Sequence, residues 1–273
     1  MNDFISVKKV DYDYLIDFYE KYKLIEAVTK SINKYYIYEF ENSNIVKWAI
    51  EGIIKNGLDS NSRWLVDNEY LNYMTNILNE NNIIYSKFGI YGYIKISVFN
   101  NTVYNDFFQA YRRLQDYEIE ELIIDLRYNQ GGNIEECIKV LDYFVKGVLC
   151  TFIDKDGNYD TQYSTESIKD NIPLKILINN LTASASEIFA CAVKYNKRGK
   201  LIGEKTMGKG TIQTLIPFDD LNVCALRLTV TEFFTPSKNK INQIGIEPDL
   251  ILPDSSLKIE DLILEIKSIE IFY

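Results

Sequence analysis

Ser184 and Lys209 are the residues whose settings would turn ordinary side chains into a nucleophile and its base. The chain holds no histidine, so a serine here has few other groups to take its proton. Ser184 stands in Leu181-Thr182-Ala183-Ser184-Ala185-Ser186-Glu187-Ile188-Phe189, directly after the apolar run Leu174 to Asn180, which reads as a short buried strand. Strand, tight turn of small residues and helix is the order that lifts a serine hydroxyl to the top of a sheet with a helix N-terminus behind it. The same residues also spell a capping box, Ser184 with Glu187 three positions on, and taken alone the local pattern favours the cap.

Lys209 lies in Gly203-Glu204-Lys205-Thr206-Met207-Gly208-Lys209-Gly210-Thr211-Ile212-Gln213. Glycine on both sides removes bulk and lets the backbone approach another element. Most of a phosphate-binding loop is present, but Gly210 stands where that motif needs Ser or Thr for magnesium. Thr211 to Pro217 is rich in β-branched residues and ends at proline, so it reads as strand, not helix. The nucleotide reading therefore fails. In an extended segment Lys209, Thr211 and Gln213 project to one face, so a lysine and a glutamine can share a site.

A serine hydroxyl is a weak nucleophile until a base removes its proton, and a lysine serves only after losing its own charge. Bringing the amine from its ordinary range to neutrality near physiological pH takes about 4 kcal/mol, which only burial in apolar surroundings can supply. The sequence thus predicts a buried Lys209. A tetrahedral oxyanion would need backbone donors, and the amide of Ala185 at a helix start and that of Gly131 or Gly132 are the candidates. By itself the glycine pair reads as a plain strand-to-helix turn.

Four segments together resemble the carboxyl-terminal processing peptidases, the tail-specific proteases with a serine and lysine dyad. They are Thr182-Ala183-Ser184-Ala185-Ser186-Glu187, Gly208-Lys209-Gly210-Thr211, Leu122-Ile123-Ile124-Asp125-Leu126-Arg127-Tyr128-Asn129-Gln130-Gly131-Gly132, and Thr235-Pro236-Ser237 followed by Gly245-Ile246-Glu247-Pro248-Asp249. The resemblance spans roughly residues 90 to 253. It implies Ser184 as nucleophile and Lys209 as base, 25 residues apart. It also implies Gln213, four positions after the lysine, as the orienting third residue. Some members carry an aspartate 11 residues past the nucleophile, where this chain has Tyr195, so an aspartate-assisted dyad is not expected. Ala49 to Asp59 and Trp64-Leu65 are similar to the segment that precedes a peptide-binding PDZ domain in many members. Tyr91-Gly92-Tyr93-Ile94-Lys95-Ile96, similar to the first core strand, follows too soon to leave room for one. Asp125 and Arg127 are expected to pair with each other or with backbone and to hold the glycine turn, because charges near a core are usually satisfied structurally.

The organisation predicted is a helical N-terminal segment, residues 1–86, with Tyr14, Leu15, Phe18 and Tyr19 as its apolar face, followed by a catalytic domain over residues 87–273. The latter reads as an α/β core with a mixed sheet and packed helices, of ClpP/crotonase type by resemblance, including helices over Thr102 to Tyr117 and Ile134 to Phe144. A terminal helix would present Ile259, Leu262, Ile263, Ile266 and Ile269 on one face.

A net charge of −9 with no Lys/Arg run argues against a nucleic-acid surface. No apolar segment is long enough to span a membrane or read as a signal peptide, so the chain as written is expected in the cytoplasm, whereas the family resemblance implies an exported location as the alternative. Cys137, Cys150, Cys191 and Cys224 lack metal-ligand spacing and are expected to be reduced and structural. Neither metal nor cofactor is called for. The reading is a serine endopeptidase acting on unstructured carboxyl-terminal regions of peptides or proteins; a homo-oligomer is compatible with it. The alternatives are a catalytically silent peptide-binding module on the same fold, and a crotonase-type enzyme, for which neither a coenzyme A site nor a carboxylate base is visible.

Overall fold

The computed structural model describes residues 23, 25–35, 45–66, 68–72, 82–165, 170–218, 224–252 and 257–270. The expected apolar face of Tyr14, Leu15, Phe18 and Tyr19 lies outside them. The chain divides into two compact units, residues 1–60 and 61–273. Of the first, helical residues 25–35 and helix α1 (Ile45–Gly57) are described.

The division falls at Ser60, before the 86/87 boundary read from the sequence. Strand β1 (Arg63–Val66) pairs antiparallel with the long β10 (Cys224–Phe234), and β2 (Ile83–Phe88) pairs with β3 (Tyr91–Ile96). Both strands therefore belong to the second unit. A four-residue strand such as Arg-Trp-Leu-Val is too short to show a period of its own, so its state is set by its partner.

The second unit holds two sheets. One has six strands in the order β11-β8-β7-β4-β3-β2, where β4 is Glu121–Asp125, β7 Leu174–Ile178, β8 Gly199–Gly203 and β11 Leu250–Ile251. All neighbours in it are parallel except β2 with β3. The central strands are Val/Ile/Leu-rich on both faces, as parallel strands covered on both sides must be. The other sheet runs β1-β10-β5-β6, with β9 (Thr211–Pro217) also paired to β10; β5 is Val148–Asp154 and β6 Tyr159–Tyr163.

Helices α2 (Val103–Gln115), α3 (Ile134–Phe144) and α4 (Ala185–Tyr195) lie in the connections leading from β3 to β4, from β4 toward β7 and from β7 to β8. The parallel strands are added in one direction across the sheet, so right-handed connections put these helices on one face. The α2 residues Val103, Phe107, Phe108, Ala110, Tyr111 and Leu114 are buried at helical spacing. Together with Phe144, Phe189 and strand residues such as Ile94 and Ile124 they form the main core. Each fully buried side chain of this size contributes about 1.5–3 kcal/mol. The opposite face is covered by α5 (Ile259–Glu270), whose Leu262, Ile263 and Ile266 pack with Tyr91, Tyr93, Ile123, Leu177 and Ile202. These three belong to the apolar face read from the sequence.

The four cysteines are free and buried. Burial pushes the Cys150 thiol up to about 12 and Cys137 and Cys191 higher than an ordinary thiol. Their environment leaves them as packing groups. Among the described residues no group of three or more Cys, Asp or Glu could hold a metal ion, and no helix is long and apolar enough to cross a membrane.

Candidate active site

Ser184 sits on the turn between β7 and α4 with φ 57° and ψ −120°, a conformation non-glycine residues avoid. A serine used only as an N-cap has no need of it, since a cap residue normally adopts β-region angles. The surrounding hydrogen bonds hold the strain. The Ala183 amide donates to the Asn129 carbonyl at 3.0 Å, and Thr182 Oγ1 donates to the Leu126 carbonyl at 2.9 Å. The capping box is present in outline: the Ser184 amide donates to Glu187 Oε2 at 2.9 Å. The reciprocal arm places the Glu187 amide toward the Ser184 side chain, but that amide donates to the Ser184 carbonyl at 2.8 Å, and the side chain makes no capping hydrogen bond. Capping box and a strained strand-to-helix elbow thus coexist at one turn.

Ser184 and Lys209 line one cavity of about 550 Å³, together with Gln130, Gly132, Ile212 and Arg227. Ser184 comes from the end of a strand in the six-stranded sheet, and Lys209 from the loop entering β9 of the other sheet. The cavity opens beyond the carboxyl ends of β4 and β7, where open α/β sheets place their ligands. Among the described residues the two side chains are not hydrogen-bonded to each other, and contacts of this kind often tighten only around substrate.

Lys209 is half-buried, and burial holds its amine below the ordinary lysine range. Arg227 pushes in the same direction, Glu187 opposes it and Arg63 adds to the lowering. The direction is the one the chemistry requires, because a base must spend much of its time neutral.

Glu187 joins the two halves of the site. Its carboxylate is inaccessible to solvent, and burial raises it above the usual carboxylate range. Four donors offset that cost: the amide of Ser184, Thr206 Oγ1 at 2.6 Å, the Gly208 amide at 2.8 Å and the Lys209 amide at 2.8 Å. One side chain therefore ties the serine turn to the lysine loop. The sequence reading saw Glu187 only as a cap partner; the missed signal was a charged residue inside an otherwise small and apolar run. Glu187→Gln, which turns one acceptor oxygen into a donor, is expected to lower stability by about 1–3 kcal/mol. It is also expected to cut kcat at least tenfold by loosening the Ser184 and Lys209 geometry. Thermal melts beside steady-state kinetics check both.

Of the three amides proposed as oxyanion donors, the structure separates two from the third. The Gly131 amide donates to Asn129 Oδ1 at 2.8 Å and is spent. Gly132 is the bridge residue opposite Phe99: Phe99 donates to the Gly131 carbonyl at 2.9 Å and accepts from the Asn133 amide at 2.6 Å. In a parallel bridge this leaves the amide of Gly132 itself directed away from the partner. Ala185, as the first residue of α4, has no intrahelical acceptor for its amide. Ala185 and Gly132 are thus the available pair, and Gly131 has another duty. With φ 102°, its missing Cβ would lie 2.8 Å from Ser184 Cβ and 3.0 Å from the Ala185 amide nitrogen. Gly131→Ala is expected to destabilise the protein by about 1–3 kcal/mol and push Ser184 out of place. Chemical denaturation together with single-turnover rates will read both effects.

Gln213 lines the cavity as its strand alternation predicted, but it does not orient Lys209 by a hydrogen bond. Its amide nitrogen donates to Thr211 Oγ1 at 3.0 Å and Thr229 Oγ1 at 3.1 Å, and Oε1 accepts from Arg227 Nη2 at 3.1 Å. Thr211 on its own strand and Thr229 and Arg227 on β10 claim its polar atoms. Arg227 itself went unnoticed in the sequence, where it is one polar residue of an alternating strand.

Asp125 and Arg127 are buried and paired, with Arg127 Nη2 2.6 Å from Asp125 Oδ2. Tyr93 Oη donates to Asp125 at 2.8 Å and Arg127 Nη1 to the Leu257 carbonyl at 3.0 Å. They anchor the end of β4 and line no part of the cavity. Fully buried Asn129 carries that rigidity to the glycine turn, donating to the Ile96 carbonyl at 2.9 Å while accepting from Gly131.

The sequence profile of peptidase family S41 matches residues 90–252, which contain every residue of this cavity. The chain belongs to peptidase family S41. Among its relatives, the chloroplastic carboxyl-terminal-processing peptidase 2 of Arabidopsis thaliana is 38% identical over 174 residues, covering 62% of this chain and 33% of the relative. The carboxy-terminal processing protease CtpB of Bacillus subtilis is 34% identical over 163 residues, covering 59% and 34%. The chain thus spans about a third of the length of these curated relatives. The solved photosystem II D1 C-terminal processing protease superposes with a TM-score of 0.58 at 31% identity, covering 67% of this chain and 51% of that one. A Streptococcus agalactiae lipoprotein shares the fold over 98% of this chain and 99% of its own, with a TM-score of 0.67 at 18% identity.

Proposed function

We propose that this S41 chain is a serine endopeptidase of the carboxyl-terminal processing type, working through an acyl-enzyme without a cofactor. The observation that carries the reading is the convergence on one cavity of a strained Ser184, a Lys209 amine held below its ordinary range, and two uncommitted backbone amides. Lys209 Nζ takes the proton of Ser184 Oγ as the oxygen attacks the scissile carbonyl carbon. The amides of Ala185 and Gly132 receive the negative charge that develops on the carbonyl oxygen, a contribution that typically costs a hundredfold or more in rate when one donor is removed. Lys209 then returns the proton to the leaving amine, and water resolves the acyl-enzyme by the same route. The relatives' names motivate the substrate class, unstructured carboxyl-terminal regions of peptides or proteins.

The test is incubation of the purified protein with an unstructured, apolar-tailed polypeptide across pH 6 to 10, with new termini read by mass spectrometry. Cleavage that rises with pH supports the reading. A polypeptide that binds and stays intact at every pH overturns it in favour of a silent peptide-binding module.

A further inference from the structure

Arg227 and Gln213 are polar side chains of the cavity that the proton transfer above leaves unused. They act as one unit. Arg227 Nη2 donates to Gln213 Oε1 at 3.1 Å, and Gln213 is itself pinned through its amide nitrogen to Thr211 and Thr229. The anchor spans two strands: Gln213 and Thr211 lie on β9, Arg227 and Thr229 on β10, with Gln213 directly opposite Thr229. On its other side Arg227 faces Arg63 across the β1–β10 pairing, so strand geometry places a second arginine next to it. The Arg227 guanidinium is therefore held in place in the wall of the cavity that Lys209 also lines.

We infer that Arg227, anchored by Gln213, is a positioning residue that keeps Lys209 neutral and proton-accepting by fixing a permanent like charge in the wall of its cavity. The inference rests on Lys209 being the base. Arginine suits the task because its guanidinium stays charged throughout the range in which a lysine titrates, whereas a second lysine could itself lose its proton. Arg227 from β10 lines the same cavity as Lys209, Arg63 from β1 stands opposite Arg227, and the Glu187 carboxylate from α4 accepts from the Lys209 amide; all three charges act on the lysine. The two arginines disfavour a protonated amine; Glu187 favours one, but its carboxylate is shared among four other donors. The pairing also gives Gln213 a role consistent with its contacts: it acts on the lysine through the arginine.

The test is kcat and KM of wild type, Arg227→Met, Arg227→Lys and Gln213→Ala against one unstructured polypeptide from pH 6 to 10, with thermal melts to confirm folding. Loss of the charge in Arg227→Met is expected to move the midpoint of the alkaline-rising limb of kcat/KM up by about one pH unit, with rates on the limb about tenfold lower and recovery at the plateau. Arg227→Lys should keep the limb near its wild-type position, and Gln213→Ala should move it part of the way. A midpoint unchanged in both Arg227→Met and Gln213→Ala overturns the inference. So does a raised KM with an unmoved limb, which would make Arg227 a contact for a substrate carboxylate. Should Arg227→Met fail to fold, Gln213→Ala and Arg227→Lys decide by the same midpoint. A wild type that cleaves with no rising limb at all removes Lys209 as the base, a separate failure from an arginine that does not act on it.

Discussion

Ser184→Ala is expected to reduce cleavage by about 10⁴-fold or more, with polypeptide binding retained. The argument is geometric as well as chemical. The turn that carries Ser184 is held by hydrogen bonds from backbone and from Glu187, none of which uses the hydroxyl, so its removal leaves the turn in place. What disappears is the hydroxyl that, in the proposed mechanism, forms the acyl bond; it shares its cavity with Lys209 and Gly132. A companion variant separates chemistry from strain. Ser184→Gly should be equally inactive yet more stable by about 1 kcal/mol, because glycine adopts a φ of 57° without penalty. Rates measured by mass spectrometry beside equilibrium unfolding decide this; a Ser184→Ala protein that still cleaves would show that another group is the nucleophile.

Replacement of Lys209 should cost about 10³-fold or more in kcat and abolish the alkaline-rising limb of the pH profile, since no other described residue offers an amine to the cavity. Lys209→Met keeps the bulk and apolar stem but removes the base. Lys209→Arg keeps a cation but cannot give up its proton, so it should be just as inactive. The same burial has a consequence for stability, and its sign can be worked out. With the native-state pKa lowered below that of the unfolded chain, the unfolded state binds the proton more readily, so this group makes the protein more stable as pH rises. Lys209→Met removes that dependence, so its advantage over wild type should be largest at low pH and fade as pH approaches the ordinary lysine range. Denaturant titrations at several pH values check it; a stability difference independent of pH would mean that Lys209 is not desolvated in the native state.

Much of this protein can be read from its residues in order. The apolar runs of β4 and β7, the period of α2 and the β-branched segment of β9 fixed element types, because each is long or strongly patterned enough to carry its own signal. Small residues around Ser184 and Lys209 marked the candidate site, since a turn in which backbone must approach backbone tolerates little else. The short strands β1 and β2 and the division at Ser60 were not legible, because a strand of a few residues is defined by its partner and β1 pairs with residues more than 150 positions away.

The tertiary structure alone decided which groups in the cavity are free and which are spent. Gly131 and Gly132 are identical as letters, but Asn129 claims one amide and leaves the other. Gln213 was legible as a cavity residue, yet its hydrogen bonds go to Thr211 on its own strand and to Thr229 and Arg227 on the antiparallel neighbour β10. Glu187 looked like half of a local cap, and only the fold brings the Thr206–Lys209 loop to its carboxylate. Residue types and spacing determine what chemistry a chain can attempt; hydrogen bonds between segments far apart in sequence determine which donor, acceptor and charge remain to perform it.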